Sequence, residues 1–308
     1  MRMRRAFYPL KKRNLGYLHQ LSFVTVCVLL LLCAPLPVPM SRFVPRQTRE
    51  IRRWLIDWEE LAAQLSAEER YGVSLDAMRV KVVSLQRTEQ RKSQTVSSLG
   101  KQGVPYEIFE AVDGLAGFSE EALAKYAGKR RLKRIQKLSD MSYAEILQAH
   151  KSEHLSEPLK SSIHESLRFG CFLSHVMLWE ELLESASPYL VVLEDDVILT
   201  SHFTIRLLGT MELLPVSWDI LFLNGCFKKY GPDFAPGVKL SRGSLCTYGY
   251  VISLSAVKKL LSGSSVRQSD KPIDHVLDVE ISRGNIFAFH VEPPLVEVVS
   301  TIQSTLGY

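Results

Sequence analysis

Residues 190–199 read LVVLEDDVIL. An apolar run of this length, rich in valine and leucine and preceded by the turn-forming SASP at 185–188, is the pattern of a strand buried on both faces. Three carboxylates then follow at its end. Strands of this kind belong to α/β sheets, where ligands bind outside the carboxyl ends of the strands. Alternation along a strand sends Glu194 and Asp196 to one side and Asp195 to the other. Carboxylates in a crevice, with no thiolate or clustered histidine beside them, select a hard, oxygen-loving cation such as Mg2+ or Mn2+. The competing reading is a solvated acidic turn at a strand end.

Outward from that strand, strand-like and helix-like segments alternate from residue 80 onward, the signature of an α/β domain. VKVVSL at 80–85 leads into a helical stretch stopped by Gly103, and YEIFEAVDG at 106–114 is a second strand closing on an Asp-Gly turn. Residues 115–165 are polar and helical. GCFLSHVMLWEELLE at 170–184 is an amphipathic helix feeding the acidic strand. Further on come WDILFLNG, then YGYVISLSAVKKLLSG as strand and helix, and finally NIFAFHVEPPLVEV. No internal repeat or low-complexity tract interrupts this order.

A chain of 308 residues that is 46% hydrophobic can bury a sizeable core. Its net charge of +5 is local: residues 1–60 hold 11 of the 38 Lys/Arg and 4 of the 33 Asp/Glu, leaving 27 against 29 in the rest. The body is close to neutral, which argues against a nucleic-acid partner. The basic head, with Arg2, Arg4, Arg5, Lys11, Lys12 and Arg13, precedes residues 21–34, which are uninterruptedly apolar or small. Spanning a bilayer takes about 20 mainly apolar residues, so the segment is a borderline span. It reads as an uncleaved anchor, with a cleaved signal peptide as the rival. The positive-inside rule then keeps the N-terminus cytoplasmic and makes this a single-pass membrane protein. Trp54, Leu55, Trp58, Leu61, Ala62 and Leu65 at helical spacing give a stalk helix. The expected division is 1–40 basic head and anchor, 41–77 stalk, and 78–308 catalytic body, opening at Met78.

Cys171, Cys226 and Cys246 lie in the body without C-x-x-C spacing, so neither a zinc knuckle nor a redox pair is indicated. They read as reduced, buried thiols, with a Cys226–Cys246 bridge open if the body is exported. Lys125, Lys129, Arg130, Arg131, Lys133, Arg134 and Lys137 form the one charge run of the body. It reads as a solvated helix face, with contact to an acidic membrane or glycan as the alternative.

Together VKVVSLQRTEQRKSQ, YEIFEAVDG, GCFLSHVMLWEELLE, YLVVLEDDVIL, WDILFLNG, CTYGYVISLSAVKKLL and KPIDHVLD resemble, in order, glycosyltransferase family 25 over residues 79–300. That family comprises lipopolysaccharide and lipooligosaccharide galactosyltransferases and collagen galactosyltransferase domains. The specific part is GCFLSH followed about twenty residues later by LEDD. The resemblance implies a GT-A type, Rossmann-like nucleotide-sugar-binding domain, a donor that is most often UDP-galactose, and inverting transfer to a hydroxyl of a glycan or glycolipid acceptor. It gives the acidic triplet the metal-binding Asp-x-Asp role, with Glu194 where an Asp is often found. The chain departs from the family at Ser84, where many members carry Asn, and at Gln86, where they carry Asp; Ser84 thereby stands at a donor-contact position.

The chemistry sets the roles of the remaining candidates. A departing diphosphate needs a cation and hydrogen-bond donors. Arg87 and Arg91, after the first strand, are candidates for phosphate or base, and Asp113 for ribose or sugar hydroxyls, against surface and turn roles. His175 is a donor-site candidate against helix packing. His290, and after it His275, are candidates for a third metal ligand or a diphosphate contact. Metal-bound carboxylates are poor bases, so the proton acceptor is sought in DKPIDHVLDVEI, among Asp270, Asp274, Asp278 and Glu280. Asp274 opens a helix after Pro272, where capping is its structural alternative, and the family resemblance of PIDHVLD favours it as base. A catalytically inactive glycan-binding module of the same fold is the alternative function. A hydrolase with paired carboxylates ranks lower, because consecutive acids on one strand cannot straddle a bond.

Overall fold

The computed structural model describes residues 79–299 apart from 153 and 186. The expected anchor and stalk lie outside the described residues. Among the described residues, no helix is long and apolar enough to cross a membrane.

Eight strands form one mixed sheet in the order β2-β1-β3-β8-β5-β9-β7-β6. β1 (Arg79–Ser84), β2 (Glu107–Glu110) and β3 (Tyr189–Glu194) run parallel. β8 (Leu245–Ser253) runs antiparallel between β3 and β5 (Ile220–Cys226). β9 (Ala288–Val291) is parallel to β5, and the hairpin β6 (Tyr230–Ala235) and β7 (Val238–Ser241) closes the far edge. One end of the sheet therefore gathers the carboxyl ends of β1, β3 and β5 and the amino end of β8.

The apolar runs explain why both faces are covered. Leu190 and Val192 of β3 join the core that also holds Phe222, Tyr250 and Ile252. Val191 and Leu193 join the opposite core with Val82, Leu221 and Val251. Each fully buried side chain of this size contributes about 1.5–3 kcal/mol, so exposure of either face is excluded. The first face carries α5 (Glu157–Glu184), α7 (Leu254–Ser262) and α8 (Ile273–Ser282). Against the second lie α1 (Glu89–Lys101), ended by Gly103 at φ +63°, and α6 (Phe203–Glu212). The architecture is a Rossmann-like α/β fold with a mixed sheet.

α5 begins thirteen residues before the helix expected at 170–184, with Pro158 in its first turn. It packs so closely on the loop after β2 that a Cβ on Gly170 would fall 2.5 Å from the Val112 carbonyl oxygen, and one on Gly114 2.3 Å from that of Ser166. Glycine at both positions lets the helix press Asp113 into place. The shorter helices α2 (Glu120–Tyr126), α3 (Lys129–Ile135) and α4 (Tyr143–His150) fill residues 115–150.

The basic run is not one solvated face. Arg131 is 1% exposed, donates from Nε to Glu165 at 2.8 Å, and packs its guanidinium over Phe169 and Phe172. Lys129, Arg130 and Lys133 stay exposed. The reduced-thiol reading is corrected as well: Cys226 and Cys246 form a disulfide across the ends of β5 and β8, and Cys171 is free. Their Cα atoms, 5.5 Å apart, were brought within bridging range by the antiparallel pairing of β5 and β8.

Candidate functional site

The acidic triplet sits where β3 stops. β3 ends at Glu194, residues 195–196 turn, and β4 (Val197–Leu199) leaves to pair with β10 (Val296–Val298) in a separate two-stranded sheet. The Val299 N–H donates to the Asp196 carbonyl at 2.8 Å, fastening the turn. The expected alternation does not run through the triplet, because strand geometry ends with its first member. Arg91 grips both aspartates: Nε donates to Asp195 Oδ1 at 3.0 Å and Nη2 to Asp196 Oδ2 at 2.6 Å. Glu194 instead accepts from Thr247 Oγ1 at 2.7 Å.

Strand register assembles this group. Val83 pairs with Glu194, so Ser84 and Asp195 emerge side by side, and Ser84 Oγ donates to Asp195 Oδ2 at 2.8 Å. Thr88 Oγ1 adds a donor to the same oxygen at 3.2 Å. Both Asp195 oxygens are thus occupied, which makes it a positioning group for the turn and for Arg91. The Asp196 carboxyl is pushed up to about 6 by burial and by the charge of Glu194, with Arg91 opposing. Its Oδ1 is buried without a hydrogen-bond partner. Burial also pushes the Glu194 carboxyl up, but His175, Thr247 and Arg91 outweigh it and hold the group below its ordinary value.

Whether these residues suit a divalent cation can be tested on that orphaned oxygen. Among the described residues, no group of three or more His, Cys, Asp or Glu is arranged as a metal cage. Mg2+-type ions usually take one or two carboxylates and complete their shell with water and phosphate oxygens. Asp196 Oδ1 and the Glu194 carboxylate, its side chain 25% exposed, fit that smaller requirement. Asp195 does not, since its oxygens are taken.

His290 is not a third ligand. It lies on β9, separated from β3 by β8 and β5, and three strand spacings of about 4.8 Å put it far beyond coordination distance. Its Nε2 pairs with Ser241 Oγ at 3.0 Å, its ring stacks on Phe222, and burial lowers its pKa to about 4. His175 also takes a different place from the one expected. It is 1% exposed, with Nδ1 2.8 Å from Tyr250 Oη and Nε2 3.3 Å from Thr247 Oγ1 and 3.8 Å from Glu194 Oε1. It stands behind Glu194 and orients it, with Trp179 Nε1 donating to the same Tyr250 hydroxyl.

Arg87 and Asp113 are brought together. Arg87 Nε donates to Asp113 Oδ2 at 2.8 Å, while Arg87 Nη2 is buried without a partner. Asp113 Oδ1 accepts from the Leu115 N–H at 3.0 Å, the turn role read from its Asp-Gly sequence, and Tyr143 Oη reaches Oδ2 at 3.4 Å. Asp274 lies in the first turn of α8, its Oδ2 accepting from the Cys246 N–H at 3.1 Å and its Oδ1 from the His275 N–H at 2.8 Å. Cys246 directly precedes Thr247, so β8 links Asp274 to Glu194. The other acids of that stretch are committed elsewhere: Asp270 to the Arg131 N–H, Asp278 to Lys229, and Glu280 to Asn285. His275 is exposed on α8.

Thr88, Thr247, Tyr250 and Trp179 escaped the sequence reading. Hydroxyls and ring donors carry no pattern of their own; Thr247, in the segment CTYGYV that opens β8, was legible only as strand. Residues 78–230 match the sequence model described as glycosyltransferase family 25 (LPS biosynthesis protein). The chain is 28% identical over 211 residues to "Inactive glycosyltransferase 25 family member 3" of Mus musculus, covering 66% of this chain and 31% of that protein. It is 25% identical over 229 residues to "Procollagen galactosyltransferase 2" of Homo sapiens, covering 71% and 33%. To "Procollagen galactosyltransferase 1-B" of Xenopus laevis it is 31% identical over 172 residues, covering 49% and 27%. The chain spans about a third or less of the length of these relatives.

Proposed function

The chain belongs to glycosyltransferase family 25, and from that premise we propose that it moves galactose from UDP-galactose to a hydroxyl of a glycan or glycolipid acceptor, with inversion, on a GT-A type domain. The observation that carries the reading is the pair Glu194 and Asp196 at the carboxyl end of β3, with the unpartnered Asp196 Oδ1 between burial and a neighbouring carboxylate. A buried acid with no partner for one oxygen is under-compensated, and a cation relieves it.

Glu194 and Asp196 would hold Mn2+ or Mg2+, which neutralises the diphosphate as it leaves. Arg87, with its unpartnered buried Nη2, would supply a charged donor to the phosphates or base, and Asp113, held by Arg87 and the Leu115 N–H, would meet the donor's hydroxyls. Ser84 and Thr88 keep Asp195 and the Arg91 fork in place. Asp274 is the proton acceptor. As the acceptor oxygen bonds the anomeric carbon, its proton passes to an Asp274 oxygen, and the carbon–oxygen bond to the diphosphate breaks with its electron pair leaving on the nucleotide.

A second reading has its own observation. Arg91 already places a cation on Asp195 and Asp196, and the Mus musculus relative is named inactive; in this reading the domain is a non-catalytic glycan-binding module. The N-terminal residues enter the proposal as anchor (1–40) and stalk (41–77), supported by the apolar stretch 21–34. The test is nucleotide release from a panel of UDP-, GDP- and CMP-sugars, with Mn2+ or EDTA, on the full chain and on a chain starting at Met78. UDP-galactose is expected to turn over in both chains and to stop in EDTA. Full activity in EDTA rejects the metal role. Silence with every donor selects the inactive module, and an active full chain with a folded, inactive shorter one moves part of the site upstream of Met78.

A further inference from the structure

Phe227 is the large apolar side chain least matched to its surroundings at the catalytic end of the sheet. It follows the last residue of β5, is 79% exposed, and takes φ +47°. A bulky aromatic in the left-handed region is strained by roughly 1–3 kcal/mol and persists where the surrounding structure over-determines it. Here the restraints are visible. Its neighbour Cys226 is bridged to Cys246, itself at φ +62°. On the other side, Lys229 N–H donates to the Gly243 carbonyl at 2.9 Å, Arg242 N–H donates to the Lys229 carbonyl at 2.8 Å, and Lys229 Nζ reaches both Asp278 oxygens at 2.8 Å. Gly243 is required for this arrangement, because a Cβ there would fall 2.0 Å from Asp278 Oδ1. Backbone and bridge thus hold Phe227 from both sides while its ring faces water.

The same bridge ties the ring to the site. Cys246 carries the N–H that holds Asp274, and the next residue, Thr247, bonds Glu194. With 5.5 Å between the bridged Cα atoms and one peptide step of about 3.8 Å at each end, the Phe227 Cα lies within about 13 Å of the Thr247 Cα. That is a span a disaccharide covers. An exposed aromatic ring on a restrained backbone, at most about 13 Å from Thr247 by Cα, offers the chemistry that recognises the apolar C–H face of a pyranose. A ring on a fixed backbone also loses little conformational entropy on binding. We infer that Phe227 is the stacking platform for the acceptor sugar, held out by the Cys226–Cys246 bridge; this rests on the transferase reading for its role in turnover, but not for sugar binding itself.

The test uses the full chain and methyl β-D-galactopyranoside and methyl β-D-glucopyranoside as probes, in two measurements. The first is nucleotide release from UDP-galactose with rising glycoside. F227A is expected to raise the half-saturating glycoside concentration about 10-fold and to shift partition from transfer toward hydrolysis, with F227W within about threefold of the native chain. The second is ligand-observed NMR of the same glycosides, which needs no turnover. Binding is expected in the native chain and F227W and lost in F227A. A native chain that releases no nucleotide but binds glycoside through Phe227 rejects the transferase reading and keeps the platform. Binding equal in native chain and F227A, no binding by the native chain, or an equal fall of hydrolysis and transfer in F227A overturns the platform.

Discussion

The two sides of the candidate site are held by opposite means. On the β3 side, Asp195 and Asp196 are 6% and 7% exposed and fixed by side chains, through Ser84, Thr88 and the Arg91 fork. On the β8–α8 side, Asp274 is only half-buried and fixed by backbone N–H groups, with a disulfide and two left-handed residues supporting them. A buried charge network must be satisfied internally, because an unpaired buried carboxylate is costly. A carboxylate held by N–H donors can stay accessible, as an acceptor for an incoming proton must. The first side is built to keep charge out of water, the second to present a group to whatever arrives.

Removing the orphaned acid breaks the comparison most severely. Asp196→Ala is expected to lower kcat/KM by about 100- to 1000-fold, the scale of losing one electrostatic stabiliser, with Mn2+ affinity lost in parallel. An Asp196→Ala enzyme with native kcat/KM would place charge stabilisation elsewhere. On the other side, Asp274→Asn keeps shape and one accepting oxygen but cannot take a proton. Its NH2 faces one of the two N–H groups that Asp274 accepts from, so Tm is expected to fall slightly, while donor and Mn2+ binding stay native and kcat per folded molecule falls about 100-fold. A lower Tm with unchanged kcat per folded molecule would make Asp274 a helix cap only.

The smallest effect on activity is expected outside both sides, at His290. Its folded pKa of about 4 lies below the unfolded value of about 6.5. The unfolded chain therefore binds the extra proton between these values. The contribution to stability is complete above about pH 6.5 and is lost as pH falls toward 4. Tm measured from pH 7 to 4 should fall more steeply for the native chain than for His290→Gln, with activity at pH 7 changed less than about twofold. Parallel Tm curves would show that His290 does not stay neutral in the fold.

Much of the frame was legible because periodic burial leaves a trace. VKVVS, LVVLE, ILFLNG and YGYVIS all became sheet strands, since runs of apolar branched residues have few other places to go. The hairpin β6–β7 was not read: YGPDFA carries a proline and a glycine and lies at the sheet edge, where neither costs a ladder bond on both sides. At the site, Arg87 with Asp113, and Arg91 with the acids, were named as candidates, but that they pair with each other was not. His290 was misplaced because nearness along the chain to a strand end says nothing of which strand lies between. Arg131 was assigned to solvent because charge alone does not reveal a Glu165 waiting in the core.

Local pattern by itself determined the α/β class, the buried strand and the position of the acids at its end, since hydrophobic periodicity and strand termination are properties of contiguous residues. The family resemblance was likewise carried by contiguous motifs in order. Tertiary structure alone decided the rest: the mixed direction of the sheet, the turn that gives Arg91 both aspartates, the Cys226–Cys246 bridge, and the meeting of β8 with α8 at Asp274. The last three join residues 20 to 105 positions apart, and such a contact depends on which strands pair and in which register, a choice made by the packing of the whole chain.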